Sequence, residues 1–75
     1  MINLEVPTAK EGHRKYAPTT VEETQTLIEA IENGEVEGVE GGPYFVVNKN
    51  TKRLVGKLDI KDNQELVMMP QIRGG

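Results

Sequence analysis

One stretch, "PTTVEETQTLIEAIENG", carries sustained helical periodicity, and nothing else in the chain does. That single feature limits the fold more than any other. A lone helix has one apolar stripe, so it covers one face of one sheet, and the remaining apolar residues must lie in strands. Val21, Thr24, Leu27, Ile28 and Ile31 fall on one stripe at helical spacing. Thr20 followed by Glu23 has the form of a capping box, in which hydroxyl and carboxylate each accept an orphan amide hydrogen bond. Glu22 and Glu23 stand where the helix dipole favours negative charge. Gly34 is placed to end the helix in a left-handed conformation. The spacing predicts a helix over residues 21–33, with Leu27, Ile28 and Ile31 buried against Leu4, Val46 and Leu66.

The flanking segments read as strands. "MINLEV" alternates: Ile2, Leu4 and Val6 point one way, Asn3 and Glu5 the other. Pro7 ends that run or sits at its edge. In "TAKEGHRKYAP", Gly12 is a turn candidate and residues 14–17 a short second strand, with His13 a solvated turn residue. "EVEGVEGG" places Glu35, Glu37 and Glu40 close together, and their repulsion predicts an exposed acidic loop. Residues 44–47 form a strong strand signal in which Tyr44 and Phe45 take opposite faces. "NKNT" is rich in turn formers, Leu54-Val55 is a weaker strand, and "KLDI" alternates with Leu58 and Ile60 together. After an Asp62-Asn63 turn, "ELVMM" sets Leu66 and Met68 on one face and Val67 and Met69 on the other, and stops at Pro70. One Met should fill the core, and the other should face outward in a docking patch with Val67.

The expected architecture is therefore α+β: a mixed four- or five-stranded sheet packed on one helix, with the first and last strands paired in parallel at its centre. The expected division is a domain over residues 1–69 and a flexible tail over residues 70–75, in which 71–75 make no backbone hydrogen bonds to the body.

Composition removes whole classes of function. The 75 residues include no Cys and no Ser, so thiolate metal sites, disulfides and Ser- or Cys-based triads are out. His13 is the only histidine, and it has no second His or Cys to share a metal. Asp59, Asp62 and Glu65 do not have the spacing of a calcium loop. No metal, no cofactor and no catalytic residue of its own is expected. The net charge of -3 argues against nucleic acid or an anionic membrane as partner. No apolar run approaches 18 residues and no signal segment opens the chain, so a cytoplasmic location is the expectation.

The end of the chain, "KLDIKDNQELVMMPQIRGG", resembles the small sulfur-carrier and ubiquitin-like proteins of bacteria and archaea, which have the ubiquitin-like β-grasp fold. In those families an acidic turn leads into a last apolar strand, a proline-containing arm and a terminal Gly-Gly, and "IRGG" resembles the end of ubiquitin. The resemblance implies that an E1-like activating enzyme adenylates the Gly75 carboxylate with ATP. The product then becomes a thiocarboxylate that gives sulfur to an acceptor enzyme, or a thioester passed to a lysine-bearing target. Gly74 would give a slender approach, Arg73 would stand at ubiquitin's last arginine and Ile72 at its leucine. Pro70 and Met69 would lie at the root of the tail.

The chemistry is intelligible without the family. A carboxylate is a poor electrophile, and an acyl adenylate carries a good leaving group that a sulfur nucleophile can displace. Glycine has no side chain to obstruct a narrow channel. Arg73 could pair with an acidic rim and fix the register. Two other functions stay open: a protein modifier conjugated to lysines, and a β-grasp binding module whose Gly-Gly end is incidental.

Overall fold

The computed structural model describes residues 1–71. Four strands and one helix follow in the order β1 (Asn3–Thr8), β2 (Gly12–Tyr16), α1 (Val21–Glu32), β3 (Tyr44–Asn48) and β4 (Glu65–Pro70). A single turn of 3-10 helix, Lys57–Asp59, lies between β3 and β4. The sheet has the order β2-β1-β4-β3. β1 is antiparallel to β2 and parallel to β4, and β3 is antiparallel to β4. The first and last strands thus pair in parallel in the interior of a mixed sheet, as expected. The Leu54 segment adds only an isolated bridge to Val47 and not a fifth strand.

The core is one cluster between α1 and the sheet. Ile28 and Ile31 share it with Ile2, Leu4, Val6, Tyr44, Val46, Leu66 and Met68. The alternation of β1 and β4 reads through directly, because each strand turns its apolar set towards the helix. Leu27 departs from expectation. It is only partly buried and packs on the margin of the cluster, since Ile28 and Ile31 occupy the centre of the stripe.

The helix opens with Thr20 Oγ1 accepting the Glu23 amide at 3.1 Å. The Glu23 carboxylate reaches back one residue further than a capping box requires and takes the Thr19 amide at 2.9 Å. At the other end the Gly34 amide donates to the Ile31 carbonyl at 3.1 Å and the Glu35 amide to Ala30 at 2.9 Å. Gly34 has φ 73°, so this is a Schellman closure around a left-handed glycine.

The acidic loop after it is not simply exposed. Glu35, Glu37 and Glu40 face solvent, but Val39 is in the core and Val36 packs against it. Arg14 Nη1 holds the loop from β2, donating to the Glu37 carbonyl at 2.9 Å and to the Tyr16 hydroxyl at 3.1 Å. The loop then closes on the helix end, where Gly42 N–H donates to the Glu32 carbonyl at 2.9 Å.

Two further expectations are corrected. Leu58 and Ile60 do not share a face: Leu58 is almost wholly exposed and Ile60 is buried. The segment is a 3-10 turn, whose three-residue repeat separates positions two apart that a strand would align. The second strand begins at Gly12, so His13 is a strand residue and not a turn residue. No helix among the described residues is long and apolar enough to cross a membrane.

Candidate functional site

Residues that alternate away from the helix make up the open face of the sheet. Glu5 stands opposite Lys15 and Val67, Val47 opposite Val67, and Phe45 opposite Met69. Phe45 is 43% exposed and Met69 52% exposed, while Val47 and Val67 are half-buried beside them. Large side chains directly across an antiparallel pair touch, so Phe45 and Met69 form one apolar patch at the end of the sheet where β4 finishes. The expected outward Met is therefore Met69, with Met68 in the core.

A charged cluster borders that patch. The Glu5 carboxylate receives Lys49 Nζ at 2.9 Å, stands 3.5 Å from His13 Nδ1 and 4.0 Å from Lys15 Nζ. The hydrogen bond from Lys49, then that from His13, holds the Glu5 carboxyl below the usual carboxylate range. The same hydrogen bond to Glu5 raises the Lys49 ammonium above its ordinary value. Lys49 reaches Glu5 across β4, because its own amide is fastened to the Glu65 carbonyl at 2.8 Å. The face thus presents an apolar patch with Lys15 and Lys49 beside it, and two carboxylates, Glu5 and Glu65, of which Glu5 is already occupied.

The charges of the whole chain are distributed in the same sense. Residues 16–48, which hold α1, the acidic loop and β3, contain seven glutamates and no Lys or Arg. All nine basic residues lie outside that segment. The helix layer is acidic, and Lys15 and Lys49 stand on the opposite side of the molecule.

Pro70 and Gln71, expected in the tail, are held to β3. Pro70 is the last residue of β4 and lies opposite Tyr44. Gln71 N–H then donates to the Pro43 carbonyl at 3.1 Å, and its side-chain amide lies 3.5 Å from the Tyr44 carbonyl. This corrects the expectation that Gln71 makes no backbone bond to the body. Proline lacks a donor, but an antiparallel partner needs none at a position whose bonds point the other way. The Tyr44 hydroxyl donates to the Glu40 carbonyl and so ties the acidic loop to the same corner. Burial raises the Tyr44 phenol above its ordinary value, with nearby Glu40 adding to the effect. Ile72, Arg73, Gly74 and Gly75 lie outside the described residues.

Sequence reasoning missed Gln71, Arg14 and the Glu5–Lys49 pair as organising residues. The outward position of Glu5 was legible in the alternation of β1. Its partner was not, because Lys49 is 44 positions away and meets it only through the strand order. No family model matches the chain, and no curated protein or solved structure matches it.

Proposed function

We propose that this chain is a ubiquitin-like β-grasp carrier, activated at the Gly75 carboxylate by an E1-like enzyme and used as a sulfur carrier. The observation that carries the reading is the junction of two features. β4 is an interior strand that ends beside the exposed Phe45–Met69 patch, and the Gly74-Gly75 pair follows it after Gln71, Ile72 and Arg73. The strand order β2-β1-β4-β3 with one helix after the first hairpin supports a β-grasp.

In this reading the partner covers the open face, with Phe45, Val67 and Met69 against its apolar surface. An extended residue spans about 3.3 Å, so the four residues after Gln71 reach at most on the order of 13 Å. The Gly75 carboxylate oxygen attacks the α-phosphorus of ATP and pyrophosphate leaves. A sulfur nucleophile then attacks the acyl carbon and AMP leaves. Arg73 pairs with an acidic rim of the partner and sets the register.

The test is pyrophosphate release with the cognate activating enzyme, run on the full chain and on the Gly75 deletion. Displacing the reacting carbon by one residue, about 3.3 Å, should abolish turnover. Gly74→Val should also fail with the fold intact. Arg73→Ala should weaken docking more mildly. Equal turnover by the full chain and the deletion would leave the chain a binding module. The product's mass separates the other two outcomes: one oxygen replaced by sulfur identifies the carrier, and linkage to a target lysine identifies a modifier. Intact mass of the protein purified from its native source should end at Gly75.

A further inference from the structure

The β1–β4 ladder stops abruptly in the middle of the sheet. Its recorded pairing runs from Asn3–Glu65 to Glu5–Val67 and goes no further, although β1 continues to Thr8 and β4 to Pro70. On the other side of β4, pairing with β3 continues to Tyr44–Pro70 and is extended by the Gln71–Pro43 bond. The final residues of β4 are therefore held from one side only.

The register gives the reason. Asn3 N–H donates to the Gln64 carbonyl at 3.0 Å, whereas Ile2 N–H donates to Pro18 at 3.2 Å on the β2 side. Odd residues of β1 thus face β4 and even residues face β2. With Asn3 opposite Glu65 and Glu5 opposite Val67, a parallel ladder has fixed continuations. The next bond would run from the amide of residue 7 to the Met68 carbonyl. The one after it would run from the amide of residue 70 to the carbonyl of residue 7. Both positions are proline, and neither has an N–H. The chain has four prolines, and two of them occupy the two donor positions that would continue this ladder. Beyond the break lies an open cleft of about 360 Å³, lined by Pro7, Thr8, Glu40, Tyr44, Pro70 and Gln71. The strand ends that should have closed it face each other across it.

We propose that Pro7 and Pro70 are paired positioning residues: together they break the β1–β4 ladder one step short of the sheet's end, so that residues 69–71 are steered by β3 alone. The functional half rests on the carrier reading, because a substrate tail must leave the sheet towards its partner. The structural half does not. Either proline alone would remove one bond and leave the other able to form. The pair removes both, and the Gln71 clip to Pro43 holds the end of β4 to the β3 side.

The experiment uses Pro7→Val, Pro70→Val and the double variant in the full chain. Valine is a strand former and supplies the missing amide. Folding is checked by the chemical shifts of Ile28, Ile31 and Leu66, which lie in the core. In the double variant the new amides of residues 7 and 70 should exchange at least about 10-fold more slowly than those of an unpaired exposed strand. Cross-strand contacts should then join residue 7 to residue 69. Each single variant should protect its own amide less. Fast exchange at both positions in a folded double variant would overturn the proposal, since the ladder would then be open for another reason.

Pyrophosphate release with the activating enzyme is the second readout. In the double variant kcat should fall at least about 10-fold with KM within about twofold, because the docking face is untouched while presentation of the tail changes. Protected amides with unchanged kcat would overturn the positioning role. If the unmodified chain itself gives no pyrophosphate while the double variant shows protected amides, the carrier reading fails, and the positioning role with it, while the proline break stands.

Discussion

Glu5 shows how one outward side chain gathers charges that the sequence holds far apart. Its folded value lies below the ordinary 4.5, chiefly through the Lys49 hydrogen bond. A lowered carboxyl pKa contributes stability that is present above the unfolded value and is lost as pH falls through the folded one. Lys49 lies above its ordinary 10.5, so its share is present below that value and is lost as pH rises through the higher folded one. The pair therefore acts across the neutral range and fails on the acid side first. Glu5→Gln should flatten the acid limb of a urea-midpoint profile between neutral pH and the region below 4.5, and an unchanged limb would show that Glu5 does not couple to folding. Gly41 makes a different demand on its position. A Cβ built there would stand 2.9 Å from both Cα and N of Gly34, backbone atoms that cannot swing aside. Gly41→Ala should therefore lower Tm by several degrees, on the order of a 1–3 kcal/mol overpacking cost. A melt superimposable on the parent would mean that the loop moves away freely.

At the scale of the element, α1 illustrates how a stripe is narrower in structure than in sequence. Ile28 and Ile31 are 0% exposed, whereas Leu27 sits on the rim of the core. The cost of truncation follows the cavity that it leaves. Ile28→Ala should destabilise by about 2–5 kcal/mol, and Leu27→Ala by clearly less than that. Chemical denaturation of the two variants measures the difference, and a larger loss at Leu27 would reverse the assigned rotation of the helix. Strand β3 makes a related point about edges. Its outer side is partly covered by the 53–55 segment, where Val55 N–H donates to Val46 at 2.8 Å and Asn48 N–H to Arg53 at 2.8 Å. That coverage shields an edge that would otherwise pair with another chain.

For the whole molecule, negative charge is concentrated in one layer. The seven glutamates of residues 16–48 lie in the helix layer and its loop, while Lys15 and Lys49 stand on the open sheet face. Such separation orients a protein as it approaches a charged partner and changes the association rate more than the final affinity. If the activating enzyme covers the open face, association should slow as salt rises, because screening shortens the range of these charges. Lys15→Glu should slow it further at low salt, whereas Glu29→Lys on the helix layer should not. Stopped-flow association at several salt concentrations tests this, and equal sensitivity to both reversals would place the contact elsewhere.

The sequence by itself determined the faces of β1 and β4 and the helix with its Thr20 cap and Gly34 closure. These are set by periodicity and by hydrogen bonds between residues close in the chain. Tertiary structure alone decided what each outward residue would meet. Lys49 reaches Glu5 only because β4 lies between their strands, and Arg14 reaches the acidic loop only because that loop folds back over β2. The same holds for the two prolines. Each reads locally as the end of a strand, and their joint meaning appears only when the parallel register of β1 and β4 sets them at the two donor positions of one ladder. Local chemistry fixes a residue's own conformation, whereas strand order and register choose its neighbours, and those choices are settled by burying the shared core.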